Sequence, residues 1–168
     1  MLASLEVVGE KQQRAARARY ALEPLAAGGA LSDVLLLKKG AGTAPTLDAV
    51  LADALGSRDI VAGSTIGIYW ESYTPASPSR PAEVSLTATR QNVSRLERAR
   101  AALRVGSAVR PVAVRFQDTG RPDGQPGRSL TVSWPEVPPG TYTVELIVTP
   151  QGGVAATSAF EVRVVKRD

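Results

Sequence analysis

Trp134-Pro135-Glu136-Val137-Pro138-Pro139-Gly140-Thr141-Tyr142-Thr143-Val144-Glu145-Leu146-Ile147-Val148 is the stretch whose reading decides the fold. Pro139-Gly140 fits the central pair of a type II turn, because proline presets the first φ and glycine accepts the positive second one. Beyond it, Tyr142, Val144, Leu146 and Val148 alternate with Thr141, Thr143 and Glu145. That is the period-2 pattern of a strand with one face buried. A turn feeding such a strand is the building unit of a β-sandwich.

The same pattern recurs on both sides. Over 65–73, Ile66, Ile68, Trp70 and Ser72 stand opposite Gly67, Tyr69, Glu71 and Tyr73, and over 82–90, Val84, Leu86 and Ala88 alternate with polar residues. Residues 2–8 and 14–22 read as strands around a turn at Gly9-Glu10-Lys11, and 31–37 as one short buried strand. Strands are also expected over 112–117, 129–134 and 155–165, the last entered through a Gln151-Gly152-Gly153 hairpin turn. The expectation is an all-β, immunoglobulin-like sandwich of about nine or ten strands in one domain over 1–168. One inserted helix is predicted over 94–105, where Ser94 and Glu97 form a capping box, Leu96, Ala99 and Leu103 an apolar stripe, and Gly106 a stop. Leu47, Val50, Leu51 and Leu55 have helical spacing, so 47–55 reads either as a short helix or as an apolar loop clipped onto the sandwich.

Composition narrows the chemistry. With 168 residues the chain can bury a core, and with only two Trp, four Tyr and two Phe that core is mostly aliphatic. There is no cysteine, which excludes disulfides, thiolate zinc sites and cysteine nucleophiles. There is no histidine, the commonest general base and metal ligand. The expectation is a protein that is not an enzyme and uses neither metal nor cofactor. Net charge is +4 and almost all of the basic residues are arginine, with lysine only at Lys11, Lys38, Lys39 and Lys166. The charges are dispersed, as a composition bias would leave them. A basic face for an acidic partner or for anionic lipid headgroups is the alternative. No run reaches the roughly 18–20 apolar residues that span a bilayer. The first residues lack a basic start and are interrupted by Glu6, so they do not read as a signal peptide. A cytoplasmic protein and a mature or partial product both fit.

Three places invite a site. Arg95, Arg98, Arg100 and Arg104 on the predicted helix are opposed by Glu97 alone, and form a candidate interface for a phosphate or an acidic protein surface; as a plain solvated face they need no partner. No aromatic residues interleave with them and no recognition motif appears, so nucleic acid is not expected. Tyr69, Trp70 and Tyr73 could form a face for stacking on a sugar or holding a peptide, while the ordinary reading puts Trp70 in the core with the tyrosines flanking it. Asp118 and Asp123 lie in a glycine-rich stretch that lacks calcium-loop spacing and reads as a turn-rich loop. A carboxylate-based hydrolase would require Glu71 and Asp118 to converge within roughly 5–10 Å.

Ser32-Asp33-Val34-Leu35-Leu36, Gly67-Ile68-Tyr69-Trp70-Glu71-Ser72-Tyr73 and Val137-Pro138-Pro139-Gly140-Thr141-Tyr142, in that order, resemble the C-terminal β-rich region of exported bacterial proteins of the GWxTD type. Arg17-Ala18-Arg19-Tyr20 also sits where an arginine-rich strand is usual in that region. The GWxTD motif itself is absent. The resemblance implies an exported, non-catalytic domain of the bacterial cell envelope, periplasmic or on the membrane-extrinsic face. The functional expectation is therefore a structural or interaction subunit that does not span the membrane. It would brace or dock onto the protein subunits of a larger membrane-associated complex, with photosynthetic and respiratory assemblies as concrete settings. A carbohydrate- or peptide-binding sandwich is the alternative.

Overall fold

A computed structural model describes residues 2–9, 14–21, 30–38, 46–73, 81–91, 112–119 and 126–166. The elements run β1 (Leu2–Gly9), β2 (Arg14–Ala21), β3 (Ala30–Leu31), β4 (Leu35–Leu37), α1 (Leu47–Leu51), β5 (Asp59–Val61), β6 (Thr65–Tyr73), β7 (Ala82–Arg90), β8 (Val112–Asp118), β9 (Gly127–Ser133), β10 (Gly140–Pro150) and β11 (Ala156–Val165). The helix predicted over 94–105, with Arg95, Arg98, Arg100 and Arg104, lies outside the described residues, as does Asp123.

The sequence around Tyr142 builds the centre of the larger sheet. β10 buries Tyr142, Val144, Leu146 and Val148 and turns the intervening residues outward, as its alternation predicts. It pairs antiparallel with β11 on one side and with β7 on the other; β8 extends the sheet beyond β7, and β5 adds to β11 in parallel, giving the order β5-β11-β10-β7-β8. Gly152 takes φ +70 in the β10–β11 hairpin, and the Gly153 amide donates to the Pro150 carbonyl at 3.0 Å, so the expected turn is present.

β6 is the spine of the second sheet. It pairs with β4 on one edge, opposite Leu35 to Leu37, and with β9 on the other, and β3 continues the β4 edge at Ser72 and Tyr73. The inner faces of the two sheets share one core that joins Ile66, Ile68, Trp70, Val132 and Trp134 to Val84, Leu86, Val144, Leu146, Val162 and Val164. Each fully buried aliphatic side chain there contributes about 1.5–3 kcal/mol. The sheet groupings β4-β6-β9 and β7-β10-β11 correspond to the A-B-E and C-F-G strands of an immunoglobulin-like sandwich. β1 and β2 form a separate antiparallel hairpin, registered from Leu2 opposite Ala21 to Gly9 opposite Arg14.

Two local expectations change. Residues 31–37 do not form one strand: β3 and β4 are separated at 32–34, and the gap is closed by side chain and backbone together. The Glu71 amide donates to Ser32 Oγ at 2.8 Å, and the Ser32 amide donates to the Glu71 carbonyl at 2.9 Å. Pro139-Gly140 is not a type II turn, because Gly140 has φ +151 where that turn needs about +80. The segment is instead a corner carrying the chain from β9 in one sheet to β10 in the other. The Tyr142 hydroxyl donates to the Pro138 carbonyl at 2.8 Å, and Arg90 donates to the Pro139 carbonyl at 3.2 Å. A tyrosine near the start of the F strand bonding back to the chain upstream is the tyrosine corner of this fold class. Trp134 meets the Tyr142 ring edge-on, with centroids 6.5 Å apart and planes at 87°.

Candidate functional site: an acidic groove beside a short helix

β6 alternates so that Trp70 faces the core while Tyr69, Glu71 and Tyr73 face the other way. On that outer face the residues at 47–55 settle as α1 followed by a turn. The short helix drops Val50 onto Leu37 and Tyr69, forming a second small core partly walled by Leu35. The chain then returns along the β4 edge, with the Lys38 amide donating to the Asp53 carbonyl and the Leu55 amide donating to the Leu36 carbonyl, each at 2.8 Å. This clasp holds α1 over the sheet, since a five-residue helix has too few internal bonds to persist alone.

Between α1 and the β3–β4 interruption lies an open groove of about 270 Å³, lined by Ser32, Asp33, Val34, Leu35, Leu47, Leu51, Tyr69 and Glu71. Glu71 organises its floor: one carboxylate oxygen accepts from the Tyr69 hydroxyl at 2.8 Å, and the other accepts from the Tyr73 hydroxyl. Burial, then the hydrogen bond to Glu71, push the Tyr69 hydroxyl well above the usual tyrosine range; for Tyr73 the bond to Glu71 leads and burial follows. Both phenols are thereby held as neutral donors. Leu47 and Leu51, four residues apart on one helix face, stand 42% and 52% exposed at the rim.

The aromatic face expected from Tyr69, Trp70 and Tyr73 does not exist as one surface. Trp70 is 2% exposed in the inter-sheet core and Tyr69 is 1% exposed beneath α1, which leaves Tyr73 alone open to solvent. Strand pleating puts neighbours on opposite faces, so Trp70 could join its flanking tyrosines only by leaving the core. Glu71 and Asp118 do not converge either. Arg128 is registered opposite Trp70, on the core side of β9, and its Nε donates to Asp118 at 2.6 Å, bridging the two sheets. Glu71 is on the outer face of the same sheet. The two carboxylates therefore belong to opposite faces of the β6 sheet rather than to one cleft.

Sequence reasoning passed over Ser32, Asp33, Leu47 and Leu51. The signal available was the amphipathic spacing at 47–55 beside a Ser-Asp pair inside an apolar run; what it lacked was the pairing of β3 and β4 to β6, which joins these segments to Glu71. Among the described residues no group of His, Cys, Asp and Glu could hold a metal ion, and no helix is long and apolar enough to cross a membrane.

Neither a protein-family model nor a curated protein matches the chain. Among solved structures, it is similar to a superoxide reductase (neelaredoxin) from Ignicoccus hospitalis, with 11% identity over 64% of this chain and 75% of that one, at a TM-score of 0.42. It is also similar to the PmoD soluble domain from a Methylocystis species, with 15% identity over 64% of this chain and 78% of that one, at a TM-score of 0.33. Neither likeness assigns a role to any residue of this chain.

Proposed function

We propose that this chain is a non-catalytic structural or interaction module of the bacterial cell envelope, an extrinsic subunit that docks onto a larger membrane-associated assembly. The observation that carries this reading is the contrast between the sandwich's polar clusters and its groove. Arg128–Asp118 ties sheet to sheet, Tyr142 and Arg90 hold a corner, and the Gln91 side-chain Nε2 donates to Thr143 Oγ1 and Glu161 Oε1, both at 2.7 Å, tying the end of β7 to β10 and β11. These groups hold backbone and strands in place. Beside them, Leu47 and Leu51 are left exposed at the rim of a built depression, the arrangement of a surface that awaits a partner's side chains. The resemblance to the terminal sandwich of GWxTD-type exported proteins points to the same setting.

The test is native electrophoresis of gently solubilised membranes from the producing organism. The protein should migrate in a band far above its own 17.6 kDa, and Leu51→Asp should return it to the free position while leaving its thermal unfolding unchanged. Migration of the unaltered protein at its own mass would overturn the reading.

A further inference from the structure

We infer that the groove between α1 and the β3–β4 interruption receives an extended segment of a partner protein carrying arginine or lysine between aliphatic side chains. This rests on the reading of the chain as an interaction module and names the partner's chemistry.

Charge is the first argument. Asp33 and Glu71 line the groove, Asp48 lies close enough to raise the Tyr69 hydroxyl by its field, and among the described residues no basic side chain lines it. This acidic patch belongs to a chain of net charge +4, so it runs against the bulk field and marks one place where a cation is favoured. Glu71 keeps capacity for such a partner. A carboxylate offers about four lone-pair sites, and the two tyrosine hydroxyls use one on each oxygen.

Shape and polarity are the second argument. At about 270 Å³ the groove falls just below the usual small-molecule range of roughly 300–1,000 Å³. It suits side chains delivered by a strand. Leu47, Leu51, Val34 and Leu35 offer apolar walls around the acidic floor. An arginine or lysine matches that order along its own length, with an aliphatic stem against the walls and the charged head at the carboxylates. Arginine adds a planar fork for bidentate bonding.

The experiment uses the full chain and two short synthetic peptides, one alternating leucine with arginine and one alternating leucine with glutamate, followed by NMR of the leucine methyls. The leucine–arginine peptide should shift the Leu47 and Leu51 methyls and bind at least about tenfold tighter than its glutamate counterpart. Asp33→Lys with Asp48→Lys should erase that preference, because two reversed charges remove the attraction and add repulsion. Both positions are exposed, and a thermal melt confirms that the variant folds. Equal binding of the two peptides, or shifts that avoid Leu47 and Leu51, would overturn the inference. Failure here is separable from failure of the module reading. If Leu51→Asp releases the protein from its assembly and the double lysine variant does not, the docking role stands and the basic partner falls.

Discussion

The Tyr142 hydroxyl reaches back four residues to the Pro138 carbonyl across a corner that has no turn hydrogen bond of its own. Pro138 is exposed, so in Tyr142→Phe water can replace the lost donor. The expected loss is about 1 kcal/mol, read as a lower urea midpoint with unchanged slope. Gly140→Ala acts on the same corner differently. Its φ of +151 lies where side chains are strained, and an added Cβ would stand 3.1 Å from Arg90 Nε, so a loss of about 1–3 kcal/mol is expected in the same assay. The residues of this corner were legible in sequence as Pro-Pro-Gly-x-Tyr, but its geometry was not. Proline and glycine announce that the chain bends, whereas the partner that fixes the bend is Arg90, fifty residues upstream in number and adjacent only through β7–β10 pairing.

At the scale of elements, strands with one wet face declared themselves, and the interrupted edge did not. β6 and β7 match their expected limits because alternation marks both their identity and their inward face. The run 31–37 carries no such phase, and an apolar stretch reads the same whether it is one strand or two pieces. Ser32 makes the difference: its hydroxyl accepts from the Glu71 amide and donates to the Asp33 carbonyl at 2.8 Å, replacing a ladder bond while the strand breaks. Ser32→Ala should leave the half-buried Glu71 amide unpaired at a cost of about 1–2 kcal/mol. Faster hydrogen exchange at that amide, with exchange at Trp70 unchanged, would locate the effect; no change at Glu71 would show that the hydroxyl is dispensable.

For the whole molecule, the sandwich was legible because its core is built from repeated local alternation, while the groove was not, because it exists only where α1, the β3–β4 interruption and β6 meet. Tyr69 illustrates the difference. By period it belongs on an exposed face, yet Val50 and Leu37 bury it, and that cover comes from a segment that alone reads equally well as helix or loop. The buried phenols leave a signature in stability against pH. Burial raises Tyr69 and Tyr142, the latter opposed by nearby Arg90, and the bond to Glu71 raises Tyr73. A raised folded value means that the native state holds these protons more tightly than the unfolded chain. Their stabilisation is therefore complete below the unfolded tyrosine range near pH 10 and is lost as pH climbs through the folded values, by up to about 1.4 kcal/mol per pH unit for each fully responding group. Tyr73, 39% exposed, adds little once solvent screening is counted. Urea midpoints should hold steady from pH 8 to about 9.5 and then fall steeply toward pH 11. Tyr69→Phe should flatten part of that fall even though it lowers stability at neutral pH, because it removes a titrating group along with its bond to Glu71. An equally steep alkaline limb in that variant would show that Tyr69 is not among the groups that titrate with unfolding.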